Sequence, residues 1–178
     1  MSSNMILILI AVVAGGSIIA VIAYYIARFM RGSVKLSLPH TAFNPGDSIT
    51  GSLDLQTKKA IEANKLVVGL IGVQVTKAYE DGKTRRRSRE IYRDETLLEE
   101  AKTYPAGYSA RYDFELTAPN TNAPEFMSSP LGQTLSAALR LLSNRHTYLD
   151  WKVQARLDAK GIDLGASTPV TINMSKLV

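Results

Sequence analysis

The chain has no cysteine. Disulfides, thiolate nucleophiles and cysteine-ligated zinc or iron–sulfur clusters are therefore excluded, while the redox compartment stays open. Histidine is nearly as scarce. His40 and His146 are the only two, too few for a histidine-rich metal site. A third absence is local: from Met5 to Ala27 there is no charged residue, and 20 of these 23 residues are hydrophobic, the others being Gly15, Gly16 and Ser17. The 178 residues leave room for one ordinary domain and an appendage. With 21% charged and 46% hydrophobic residues, the composition is not that of a disordered chain, and the net charge of +5 is only mildly basic.

The uncharged run predicts a membrane anchor. As a helix it would span about 34 Å, enough for a hydrocarbon core of roughly 30 Å. Tyr24 and Tyr25 stand near its C-terminal end, where interfacial aromatics belong. A cleaved signal peptide needs a basic n-region and a short apolar core. Residues 1–4 carry no Lys or Arg, and the run is too long. No basic residue precedes the run, whereas Arg28, Arg31 and Lys35 follow it. The expected topology is single-pass, with the N-terminus outside and the C-terminal domain in the cytoplasm. Ala11, Gly15, Ala23 and Ala27 form a small-residue ladder interrupted by Ile19, with Gly16 and Ala20 beside it. Two readings stand. The ladder packs against another helix, in self-association or with another membrane protein, or it reflects the ordinary abundance of Gly and Ala in spanning helices.

The remainder alternates with period two. Ile49, Gly51, Leu53 and Leu55 share one face. So do Tyr108, Ala110, Tyr112, Phe114 and Leu116, and likewise Leu149, Trp151, Val153, Ala155 and Leu157. Such patterns predict strands with one buried face. Lys65 to Tyr79 starts apolar on both faces and reads as a central strand, with Gly69 and Gly72 marking a bulge or a close backbone approach. Shorter strands fit Val34–Leu38, Glu90–Leu98 and Thr168–Met174. Turn chemistry separates them at residues 44–47, 80–83, 104–107 and 158–161. About seven strands with such turns predict a β-sandwich. One helix is expected at about 130–143: Ser129 can cap it, Pro130 suits its first position, and Leu131, Leu135, Ala138, Leu139 and Leu142 recur at three and four. It either covers an open end of the sandwich or faces a partner or the membrane.

The order of motifs resembles arrestin-like domains. The run Phe43-Asn-Pro-Gly-Asp-Ser-Ile-Thr-Gly51 is similar to their turn and second strand, and Lys65 to Gly72 to the strand that follows. Tyr104-Pro-Ala-Gly107, then Tyr112 to Leu116, Pro119 and Pro124, resembles the next stretch, and Tyr148 to Asp158 the strand after it. The match covers about residues 33–175. That superfamily includes arrestins, the retromer cargo-recognition subunit and a bacterial sporulation-control family. Its members have two lobes, and this chain has room for one. The resemblance implies a mainly β chain: an arrestin-like, immunoglobulin-type β-sandwich at 32–178 with one inserted helix, behind an anchor at 1–31. No phosphate-sensor or polar-core residues of arrestins map onto it.

No catalytic constellation is expected. There is no Gly-x-Ser-x-Gly elbow, no phosphate-binding glycine loop and no EF-hand spacing. The carboxylate pairs Asp94–Glu95 and Glu99–Glu100 are adjacent in sequence, so on a strand they point to opposite faces. No enzyme activity and no cofactor are expected. The sharpest local feature is Lys83-Thr-Arg-Arg-Arg-Ser-Arg89, whose Lys83, Arg85, Arg86, Arg87 and Arg89 make a local positive field. Four readings stand: contact with anionic lipid of the bilayer, an acidic protein partner, phosphorylation at Ser88, or a solvated rim neutralised by Glu80, Asp81, Glu90, Asp94 and Glu95. Nucleic acid is not expected as a partner, because aromatic interleaving is missing and the charge beyond Arg31 is only +3. The expected function is a membrane-anchored, protein-binding scaffold or adaptor. The alternative is an accessory subunit docked into a larger membrane complex through its spanning helix.

Overall fold

The computed structural model describes residues 21–22, 24–26, 29–80, 83–121, 123–141 and 147–174. Among them, nine strands form two sheets. Strand β1 (Gly32–Ser37), β3 (Ser48–Thr57) and β7 (Ser109–Thr117) make a three-stranded antiparallel sheet in the order β1-β3-β7. The larger sheet runs β2-β9-β8-β4-β5, from β2 (Ala42–Phe43), β9 (Leu164–Ile172), β8 (Thr147–Ala159), β4 (Ile61–Glu80) and β5 (Lys83–Glu99), with β6 (Lys102–Tyr104) paired to the start of β4. All pairings are antiparallel except β2 with β9. Two short helices, α1 (Pro124–Ser128) and α2 (Pro130–Leu141), separate β7 from β8.

The alternating patterns explain which face goes inward. On β8, Trp151, Val153, Ala155, Leu157 and Ala159 are buried, with less buried residues between them. On β3, Ile49, Leu53 and Leu55 are fully buried. Both sets join one core with Leu66, Val68 and Leu70 of β4 and Phe114 and Leu116 of β7. Burial at this scale stabilises by about 1.5–3 kcal/mol for each large apolar side chain. Strand β4 is buried on its other face as well: Val67, Ile71 and Val75 are at most 4% exposed. Their register neighbours are Arg156 and Leu97, Lys152 and Arg93, and Tyr148 and Ser88. Long amphipathic stems of this kind cover apolar surface while their heads stay in water.

Two of the expected turns are where the sequence places them, while residues 81–82 of the turn expected at 80–83 lie outside the described residues. Gly46 has φ +86° and Gly107 φ +77°, the left-handed values that a type II turn needs at its third residue. The Asp47 amide closes the first turn on the Asn44 carbonyl at 3.1 Å, and the Tyr108 amide the second on Pro105 at 3.3 Å. Gly69 and Gly72 are close-approach glycines. A Cβ on Gly69 would lie 2.6 Å from the Asp94 carbonyl oxygen, and one on Gly72 2.7 Å from the Trp151 ring. A register irregularity between β4 and β5 also falls between Gly72 and Val73.

The structure departs from the expected elements in several places, among them the unexpected short strands β2 and β6 and a β9 that begins at Leu164 rather than Thr168. Strand β4 begins at Ile61 rather than Lys65. Strand β5 begins at Lys83 rather than Glu90, so the whole basic run is strand. Pro124, read as part of a proline-rich stretch, opens α1. Helix α2 itself starts as expected. Ser129 Oγ accepts the Gly132 amide at 3.1 Å and donates to the Phe126 carbonyl at 2.6 Å. Leu135, Ala138 and Leu139 are buried in the core, and the Gln74 side chain donates to the Ala138 carbonyl at 3.5 Å. One face of α2 thus covers the sandwich, as the first of its two readings has it. Leu131 is exposed, while the side chain of Leu141 and residues 142–146 lie outside the described residues.

The anchor reading falls largely outside them too. Ala11, Gly15, Gly16, Ala20, Ala23, Ala27 and Arg28 are not among the described residues. The described residues from 21 to 31 are helical, and among the described residues no helix is long and apolar enough to cross a membrane.

Candidate functional site

The candidate site is the β4–β5 hairpin and its outer edge. Strand β4 pairs β8 from Ala63 to Thr76, where β8 begins at Thr147. Beyond Thr76 it pairs β5 alone, through Lys77–Arg86, Ala78–Arg85, Tyr79–Thr84 and Glu80–Lys83. The last four residue pairs therefore stand clear of the sheet as a two-stranded arm, about 13 Å long at ~3.4 Å per residue. All five expected basic residues lie on it or at its base, and every residue from Lys83 to Glu90 is exposed. The strand period divides them. Lys83, Arg85, Arg87 and Arg89 share the face that carries Gln74 and α2, and Arg86 and Ser88 share the opposite face with Val75 and Tyr148.

Strand β5 is the last strand of its sheet and pairs only β4. Its outer edge therefore carries a row of backbone N–H and C=O groups without a strand partner among the described residues. From Lys83 to Glu90 its register with β4 is unbroken, and the irregularities come later, at Gly72/Val73, opposite Glu90–Tyr92, and at Leu66/Val67. Eight consecutive edge residues are thus straight, exposed and predominantly cationic.

Two of the acids that the sequence offered to neutralise this run, Glu90 and Glu95, are engaged by Arg93. Arg93 donates to both oxygens of Glu90, at 2.7 and 2.6 Å, and also binds Glu95. Those hydrogen bonds hold the Glu90 carboxyl below its ordinary pKa. Asp94 lies on the other face from Glu95. Asp81 lies outside the described residues. Within the arm, Arg86 donates to Asp150 at 3.0 Å across two strands, with both side chains about half exposed. Lys77 and Arg86 also lie over the Tyr148 ring, at 5.5 and 5.9 Å from its centroid. Sequence reasoning missed Lys77, Tyr148 and Asp150, because only the three-strand register brings them to Arg86. Tyr79, at the tip, is 77% exposed.

The end of the sandwich that the chain enters at Arg31 lies at the other end of β4. Gly32 pairs Thr57, and the Arg31 carbonyl accepts the Lys58 amide at 2.8 Å. Lys58 Nζ lies 3.4 Å over the Phe29 ring. Tyr25, Phe29, Val34 and Leu164 help to line a cavity of about 270 Å³ there. Tyr24 and Tyr25 make an edge-on pair with centroids 5.7 Å apart. Val21, Ile22, Tyr24, Tyr25, Ile26, Phe29 and Met30 are all substantially exposed.

His40 is exposed on the segment that crosses between the sheets, and His146 lies outside the described residues. Among the described residues no three His, Asp or Glu side chains converge as a metal site. Glu99 is taken by Lys102 at 2.6 Å. A groove of about 740 Å³ is open and lies beside β3 where β1 leaves it. Its Arg111 is bound to Ser52 at 2.7 Å.

The architecture has a solved counterpart. The crystal structure of the sporulation control protein Spo0M from Bacillus subtilis matches it with a TM-score of 0.55 at 16% identity, over 82% of this chain and 50% of that one. The fold is arrestin-like. The chain spans half the length of that neighbour. No family model matches the sequence, and no curated protein sequence matches it.

Proposed function

We propose that this chain is a non-catalytic scaffold or adaptor: one arrestin-like lobe tethered to a bilayer by residues 5–27 and facing the cytoplasm. The observation that carries the reading is the exposure of Val21, Ile22, Tyr24, Tyr25 and Ile26, at the C-terminal end of the uncharged run, and of Phe29 and Met30 just before Arg31. Exposed apolar surface of this extent in water is costly, and a membrane interface removes the cost. The arrestin-like fold supports a binding role. Sandwiches of this kind recognise partners through edges and loops, and the exposed arm offers both.

The test is twofold. Alkaline extraction and protease protection on native membranes should leave the chain in the pellet with the sandwich digestible from the cytoplasmic side. A soluble chain, or a sandwich digested from the outer face of sealed right-side-out vesicles, refutes the tether or its orientation. Purification in mild detergent followed by mass spectrometry separates the two roles. A lone monomer or homodimer fits the adaptor. A stoichiometric integral-membrane complex means an accessory subunit docked through the spanning helix.

A further inference from the structure

The arm is far from the end of the sandwich that the chain enters at Arg31. From Ile61, beside that end, to Gln74, which pairs Arg89, is 13 residues along β4, and to Glu80 it is 19. At about 3.3 Å per residue the cations stand roughly 43–63 Å from that end, several times a Debye length of about 8–10 Å. The anchoring bilayer therefore attracts them only if the sheet lies flat on it. An open strand edge, by contrast, meets a protein strand in any orientation.

The chemistry of the edge selects that strand. Residues 83–90 form the outer edge of the sheet, with no further strand paired to them among the described residues and no break in register with β4, which is a template for strand addition. A second copy of the same segment is refused, because like charges directly opposite one another destabilise a strand pair. An acidic segment is favoured for the same reason with the sign reversed. An added strand would face its side chains alternately to the two sides. Its every-second residue would stand beside Lys83, Arg85, Arg87 and Arg89, about 5 Å away. We infer that the outer edge of β5 between Lys83 and Glu90 takes up an extended, carboxylate-rich segment of a protein partner as an added strand, with acidic residues at alternate positions. The inference rests on the scaffold reading and names its docking element and the charge pattern of its partner.

The test uses the full chain in neutral detergent micelles and a fluorescent ten-residue peptide of alternating Glu and Thr. Fluorescence anisotropy should show binding that weakens steeply with salt. An alternating Lys–Thr peptide should not bind. Hydrogen exchange read by mass spectrometry should show slowed exchange in residues 83–90 on peptide binding. The variant Arg85→Glu/Arg87→Glu/Arg89→Glu should lose at least about tenfold in affinity, while Arg85→Lys/Arg87→Lys/Arg89→Lys keeps most of it, since a field rather than a fork geometry is required. Unchanged thermal melting of both variants keeps the comparison valid, as all three positions are exposed. No binding, or binding without slowed exchange at 83–90, overturns the inference. So does stronger protection of 83–90 by phosphatidylserine vesicles than by the peptide, which would assign the arm to lipid. If the peptide result fails while detergent purification still yields a partner, the scaffold reading stands and only the docking element is wrong.

Discussion

Substituting Gly69 by Ala tests how the two longest strands are held together. A Cβ at position 69 would sit 2.6 Å from the Asp94 carbonyl oxygen and 3.2 Å from the Glu95 Cα, both backbone atoms of the neighbouring strand. No rotamer relieves that contact, so β5 must move or the β4–β5 ladder must open locally. Overpacking of this kind costs about 1–3 kcal/mol. Gly72→Ala meets a side chain instead, the Trp151 ring at 2.7–2.8 Å. That ring can tilt, but it stacks edge-on with Tyr92 at 5.4 Å, which in turn contacts Phe126 of α1 at 6.4 Å. Its cost is expected in the lower half of the same range, with a shift in the emission of Trp151, the only tryptophan. Gly107→Ala has nothing within 4 Å and only a left-handed φ of +77° to satisfy, for about 1 kcal/mol. Thermal melts in micelles should therefore rank Gly69→Ala as most damaging, with a fall of roughly 2–4 °C for each kcal/mol in a domain of this size. Emission should move only in Gly72→Ala. A melt of Gly69→Ala within 1 °C or so of the parent would show that β5 is not held at this distance, and the straight edge argued for residues 83–90 would lose its support.

Ser129→Ala should lower stability by about 1 kcal/mol, since it removes the N-cap of α2 and the link to Phe126 together; a chemical denaturation midpoint checks it. Tyrosine absorbance at 295 nm on alkaline titration should resolve a late group. Burial, aided by Asp94, pushes Tyr92 up to about 12, and burial also raises Tyr104 and Tyr112. Because these folded values exceed the unfolded one near 10, their contribution to stability is full below about pH 10 and is lost as pH rises through the folded values. All eight tyrosines titrating together near pH 10 in the folded protein would refute it. At the acid end, Arg93 lowers Glu90 and Lys102 lowers Glu99. Their contribution is present above the ordinary carboxylate value near 4.5 and falls as pH drops through the depressed values, so Arg93→Ala should flatten the acid limb of a stability–pH curve.

The core was legible because burial leaves a period in the sequence. Trp151 to Leu157 and Ile49 to Leu55 each announced both a strand and its inward face. The close-approach glycines were legible as well, since a glycine inside a strand has few other uses. The basic strand was not. Lys83 to Arg89 is polar on both faces, so no alternation marks it, and its strand geometry comes from pairing with β4 rather than from its own side chains. For the same reason the Arg86–Asp150 contact and its Tyr148 neighbour were invisible: they depend on two registers at once. Helix α1 was hidden behind prolines, although a proline at the first turn starts a helix as readily as it ends one. The fate of Glu90 was misjudged by proximity. It is four residues from Arg86 in sequence but bonded to Arg93, because the irregularity at Tyr92 brings those two side chains together.

The arm's charge has a modest explanation that must be weighed against recognition. Edge strands carry lysine and arginine to prevent sheets from joining edge to edge, and that need alone would account for cations on β5. It does not account for their distribution. The second half of β5 is just as much an edge, yet it carries Glu90, Asp94, Glu95 and Glu99 against a single Arg93. There, charges of both signs and irregular register already discourage pairing. Protection would have been served equally by mixed charges in the first half. Five cations without a break in register instead leave the edge able to pair and restrict what pairs with it. The tip also stands beyond β8, where extra strand length buries little core and stabilises the fold least. A segment that adds little to stability, lies at the opposite end of β4 from Arg31 and carries one sign of charge is best understood as a surface shaped by what it meets.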